Sequence, residues 1–158
     1  GKLIVKGILD VDDARMAIAA GADAILVSNH GGRQLDSAPS TASILTGIVD
    51  AVGDKTEVYV DSGIRSGLDV LKFLGLGARA CFIGRTYLYG LGAYGQAGVT
   101  KALEILKDEL SIAMALTGIT DASKVPRDII LRPPPEPTRA SVETSGGPFR
   151  DVRVYQES

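Results

Sequence analysis

With 158 residues, 45% of them hydrophobic and 23% charged, the chain has the size of one domain and enough apolar material for a core. Its 17 basic and 19 acidic side chains nearly cancel, which leaves no strong field to hold nucleic acid or an anionic membrane surface. The single cysteine, Cys81, excludes an internal disulfide framework and reads as core, and without CxxC or HxxxH spacing no metal site is expected.

Along the chain, short apolar runs alternate with helix-like patterns. LIV at residues 3 to 5 reads as a buried strand, followed by Asp10 as the N-cap candidate before VDDARMAIAA. AILV at 24 to 27 is the second strand; it leads into SNHGGRQLD at 28 to 36, which holds the only histidine, and then to Ser40 before TASILTGIVDAV. EVYV at 57 to 60 is the third strand, followed by DSGIR at 61 to 65 and by Ser66 before GLDVLKFL. Gly75 and Gly77 are assigned to ending that helix, and ACFI at 80 to 83 to the fourth strand. TYLYG reads as a short connection, with Tyr87, Tyr89 and Tyr94 in packing roles. The stretch GQAGVTKALEILKDELSIAMALTG carries a stripe of Val99, Leu103, Leu106, Leu110 and Met114 and is the longest helix. From Arg132 on, Pro, Ser, Gly and charge without periodicity indicate an extended tail over 132–158, with VRVY as a candidate short strand.

Strand and helix alternate, which implies parallel pairing. The chain also resembles itself: Gly7, Ile8, Asp13, Gly21, Ala22 and Ala24 return as Gly63, Ile64, Asp69, Gly77, Ala78 and Ala80, at an offset of about 56. Two βα-βα units therefore repeat. Such units close into a barrel, but a complete (β/α)8 barrel takes about 250 residues, so four strands make half of one. No apolar run approaches the roughly 18 residues of a membrane span, and Gly1-Lys2-Leu3 does not open a secretory signal. A cytoplasmic compartment is the expectation, and membrane attachment is not indicated by this chain.

In a parallel βα barrel the chemistry sits at the C-terminal ends of the strands. The residues there are Lys6; Ser28, His30 and Arg33; Asp61, Gly63 and Arg65; and Gly84 with Arg85. Each alone has an ordinary explanation. A cation after a strand is usually solvated, glycines make tight turns, and His30 before two glycines fits an exposed turn residue as well as a base. Their co-location on one rim favours function. Gly63 with Arg65, and Gly84 with Arg85, pair close backbone approach with a planar cation before a helix N-terminus, whose free N–H groups favour an anion such as phosphate. Asp61 suits either a helix cap or the hydroxyls of a polyol.

LIVKGI, GADAILVSNHGGRQLD, VYVDSGIRSGLDVLKFLGLGARACFIGR and GVTKALEILKDEL resemble the C-terminal half of the FMN-dependent 2-hydroxy-acid oxidases and dehydrogenases, the family of glycolate oxidase, lactate oxidase and mandelate dehydrogenase. The resemblance covers residues 1 to 131 and is most specific in SNHGGRQ, DSGIRSG and IGR at their separations. It implies an α/β fold: residues 1–131 as the C-terminal half of an FMN-binding TIM barrel ending in a long helix, and 132–158 as the tail. It further implies oxidation of an (S)-2-hydroxy acid to the 2-oxo acid, with His30 as the base and Arg33 gripping the substrate carboxylate. Lys6 would lie by the flavin N1–O2 edge and Ser28 near the same cofactor. Asp61 would accept ribityl hydroxyls, and Gly63, Arg65, Gly84 and Arg85 would hold the FMN phosphate.

The chain departs from the family pattern in three places. Ser62 stands where a glycine is usual; the family's N-terminal half is absent; and the tail is longer than expected. Two other readings use the same loops. One is a different FMN barrel enzyme, such as an isomerase, which does not need the His30 and Arg33 pair; the other is a non-catalytic flavin- or phosphate-binding half-barrel. An open half-barrel exposes strand edges and apolar surface, so the missing N-terminal half, and further copies in a homo-oligomer, are the expected partners.

Overall fold

The computed structural model describes residues 1–131; the tail, with its candidate VRVY strand, lies outside the described residues. Strands β1 (Ile4–Ile8), β2 (Ala24–Val27), β3 (Glu57–Val60) and β4 (Ala80–Cys81) pair in chain order as one parallel sheet. Helices α1 (Val11–Ala19), α2 (Thr41–Val52) and α3 (Gly67–Gly75) make the crossovers, and α4 (Arg85–Thr117) follows β4.

Each crossover helix starts where its cap residue is. The Asp10 carboxylate accepts the amides of Asp12 and Asp13, and Ser40 Oγ accepts that of Ser43. Ser66 and Asp69 form a reciprocal capping box. Each such cap contributes about 1 kcal/mol.

The sheet has two unlike faces. Val5, Ile25, Val27, Val58, Val60 and Cys81 meet the helices, where Ala14, Ile44, Leu45, Ile48 and Val52 complete the core. On the other face Lys6, Leu26, Tyr59 and Ala80 stand in register, and the same side continues into Ser28, Asp61 and Phe82. This second face is exposed on its outer strands, with Ile4 42% and Phe82 45% exposed, while Leu26 and Ser28 in the middle are buried. Parallel sheets are ordinarily covered on both faces; among the described residues the helices pack against one.

The internal repeat is a repeat of backbone conformation. Gly7 and Gly63 have φ of 96° and 78°, and Gly21 and Gly77 have 98° and 102°, all left-handed. Gly77 follows the end of α3 as expected, and Gly75 is its last residue, where a side chain would meet Ile129 at 3.3 Å, so its smallness also serves packing. β4 is shorter than the ACFI run, because beyond Cys81 a single backbone bond, Phe82 N to Val60 O at 2.8 Å, continues the ladder.

The TYLYG connection is helical. It forms the first arm of α4, which breaks at Tyr94 (φ −143°) and Gly95 (φ 58°, ψ −138°). The two arms meet at Gly90 and Gly98, where a β-carbon on Gly98 would lie 1.9 Å from the Gly90 carbonyl oxygen. Tyr89 and Tyr94 are 72% and 81% exposed, so the packing role expected of them is not met among the described residues. In the second arm Leu106 is buried and Leu103 half exposed. None of the helices among the described residues is long and apolar enough to cross a membrane.

Candidate active site

The register of β1, β2 and β3 brings Lys6 to the ends of the next two strands. Its ammonium donates to Ser28 Oγ at 2.6 Å and pairs with the Asp61 carboxylate. Burial pushes the Asp61 carboxyl up, but hydrogen bonds from Lys6, Ser28 and Ser62 and the Lys6 charge outweigh it. The net result is a pKa held below the ordinary 3.8. Ser28 is wholly buried beneath this pair and also accepts the His30 amide at 3.1 Å.

His30, Gly31 and Gly32 form one tight helical turn after β2, all with positive φ (57°, 69° and 71°). Holding a non-glycine residue such as His30 there costs on the order of 1 kcal/mol or more. The turn is held by the Ser28 bond, by Asn29 Oδ1 accepting the Gly31 amide at 3.0 Å, and by Ser62 Oγ accepting the same amide at 3.1 Å. The imidazole lies over Gly7, where a β-carbon would come within 2.8 Å of His30 Cε1. Gly7 is thus part of the site. Its visible sign in the sequence is only its pairing with Gly63 in the repeat.

Arg85 crosses from the β4 loop to the β2 loop and donates to the Gly31 carbonyl at 3.2 Å; a β-carbon on Gly31 would lie 2.8 Å from Arg85 Nη2. Arg33 and Arg65 are exposed. Lys6, His30, Arg33, Asp61, Gly63, Arg65, Gly84 and Arg85 line one open cleft of about 800 Å³, with Tyr89 at its margin. Four cations face one carboxylate there, a balance that suits an anionic ligand. A second cavity, of about 660 Å³, adjoins the cleft between α2, α3 and Ile129–Leu131, and Gly31, Ser62, Gly63, Arg65 and Arg85 line both.

One expectation is corrected. Most donors at the N-terminus of α3 are already taken: Asp69 accepts the amides of Arg65 and Ser66, and Glu109 of α4 accepts that of Gly67 at 2.8 Å. Of the two helix N-termini assigned to an anion, the one without a side-chain cap is that of α4, at Gly84.

Fold and cleft together define the class: a parallel βα protein with a cation-rich cleft at the carboxyl ends of its strands. The chain belongs to the FMN-dependent dehydrogenase family, whose sequence pattern matches residues 1–132. It is 52% identical to an L-lactate dehydrogenase of Caulobacter vibrioides over 130 residues, 82% of this chain and 34% of that protein. An L-lactate dehydrogenase of Alcaligenes faecalis is 48% identical over 134 residues, 85% of this chain and 35% of that protein. Among solved structures, mandelate oxidase with benzoyl-formic acid superposes with a TM-score of 0.77 at 50% identity, over 80% of this chain and 38% of that one. A mandelate oxidase variant with a monooxide FMN adduct gives the same score and identity. The chain thus spans about a third of the length of the curated relatives it matches.

Proposed function

We propose that this chain forms the C-terminal half of the barrel of an FMN-dependent enzyme that oxidises an (S)-2-hydroxy acid to the 2-oxo acid, with the rest of the barrel supplied by a further segment. The observation that carries the reading is the convergence of His30, Arg33 and the Lys6–Asp61 pair on a single cation-rich cleft. Membership of the FMN-dependent dehydrogenase family and the lactate and mandelate names of the relatives support it.

The residues suit FMN. Arg65, Arg85, Gly63 and the N-terminus of α4 at Gly84 offer donors and close backbone approach to its phosphate. Asp61 keeps acceptor capacity for ribityl hydroxyls beyond its bonds to Lys6 and Ser62. Lys6 supplies a fixed cation for the ring edge, and buried Ser28 holds Lys6 in place. When bound, FMN supplies the two-electron acceptor for the substrate carbon.

Arg33 grips the substrate carboxylate through two parallel N–H bonds and so orients the neighbouring hydroxyl-bearing carbon. His30, held over Gly7 by the bond from its amide to Ser28, removes the proton. The open sheet face and the exposed strand edges are covered by the first half of the barrel and by further copies in an oligomer.

The test is an absorption spectrum of the assembled protein titrated with L-lactate and with (S)-mandelate. Loss of the yellow flavin band on adding one of them is the expected result. A sample that binds flavin but keeps its band with every 2-hydroxy acid would leave a flavin-binding module without turnover.

A further inference from the structure

We propose that Ser62 is a positioning residue: its hydroxyl sets the place of the His30 turn relative to the Lys6–Asp61 pair. Three observations carry this. Ser62 has a φ of 73°, a left-handed conformation that glycine adopts without strain and serine does not, so something other than backbone preference keeps the side chain there. Its Oγ donates to Asp61 Oδ1 at 2.7 Å and accepts the Gly31 amide at 3.1 Å, linking the β3 loop to the residue that follows His30. Its backbone is anchored from a third element, because the buried Thr41 Oγ1 of α2 donates to the carbonyls of Asp61 at 2.9 Å and Ser62 at 3.4 Å.

The hydroxyl therefore sits between two groups that must be fixed with respect to each other. One is the carboxylate that pairs with Lys6; the other is the turn that carries the imidazole. Without the hydroxyl, the Gly31 amide keeps only its bond to Asn29, which belongs to the same loop and cannot register it against β3. The consequence for the reaction rests on His30 being its base; the positional effect does not.

Ser62→Ala and Ser62→Gly separate this role from a purely structural one. Both lose the hydroxyl, but alanine keeps the left-handed strain and glycine relieves it, so their stabilities diverge. His30 is the only histidine, and its ring gives a single imidazole signal in the NMR spectrum of the full chain. Both variants are expected to raise hydrogen exchange at the Gly31 amide by about 5-fold, the factor one neutral hydrogen bond supports, and to move the His30 Cε1–H resonance to a common new position. In the flavin-loaded assembly both should lower kcat for the 2-hydroxy acid while leaving KM in place. The proposal is overturned if the exchange and the resonance stay as in the wild type, or if they follow stability so that alanine and glycine move them in opposite directions. Failure of the functional reading looks different: wild-type flavin would not be reduced by 2-hydroxy acids, while the NMR result would stand.

Discussion

The His30 imidazole rests on the α-carbon of Gly7, so closely that a β-carbon on Gly7 would stand 2.8 Å from His30 Cε1. Gly7 also has a φ of 96° at the point where the β1–β2 register shifts. Gly7→Ala therefore meets two obstacles, an unfavourable backbone conformation and a clash with the ring. The expected cost is about 1–3 kcal/mol in urea unfolding, with a fall in turnover larger than any fall in flavin affinity. Wild-type turnover in this variant would show that the ring need not rest on β1.

His30→Gln keeps much of the size and polarity of the side chain but removes the imidazole proposed as the base. Turnover should fall by roughly 10²–10⁴-fold, as for loss of a general base, with FMN still bound in a fluorescence titration.

Arg65→Ala combined with Arg85→Ala removes two of the four cations in the cleft. FMN affinity is expected to drop by roughly 10²–10⁴-fold, since each hydrogen bond to a charged group is worth about 1.5–3 kcal/mol. Riboflavin, which lacks the phosphate, should bind the variant and the wild type alike, and this comparison checks that the phosphate is what the arginines hold.

The Asp61 carboxyl lies below its ordinary value of 3.8 in the folded chain, because the bonds from Lys6, Ser28 and Ser62 outweigh burial. The native state then binds fewer protons than the unfolded state at acid pH. This stabilisation is present above pH 3.8 and is lost as pH falls through the lower folded value. Asp61→Asn should be less stable than the wild type at about pH 7, and the gap should narrow in thermal melts as pH falls below 3.8.

The Cys81 thiol packs against the core, and burial pushes its pKa up to about 12, so it stays protonated through the neutral range. Alkylation by iodoacetamide at about pH 8 should be slow in the folded chain and fast in urea. Equal rates in the two conditions would show that the segment around β4 opens freely.

Much of the architecture is legible in the residues because its signals are local. The AILV and EVYV runs coincide with β2 and β3, and Asp10, Ser40 and Ser66 are the actual caps, since an apolar run and a capping side chain act within a few residues. The cation-rich rim was legible for the same reason: Arg33, Arg65 and Arg85 lie in the short segments after β2, β3 and β4, although Lys6, expected just after the first strand, stands inside β1. The break in α4 was not, because it depends on Gly90 meeting Gly98 after the chain has turned back. Nor was the bond from the Gly67 amide at the start of α3 to a Glu109 carboxylate 42 residues further along.

By itself, then, the sequence determined the parallel βα order, the repeat of left-handed glycines and the identity of the charged groups at the strand ends, all consequences of short-range sterics and patterning. Only the tertiary structure decided which of those groups touch. Lys6 reaches Asp61, Arg85 reaches Gly31, Ser62 bridges Gly31 and Asp61, and His30 lies on Gly7, because sheet register sets distances between residues far apart in the chain that no local pattern encodes.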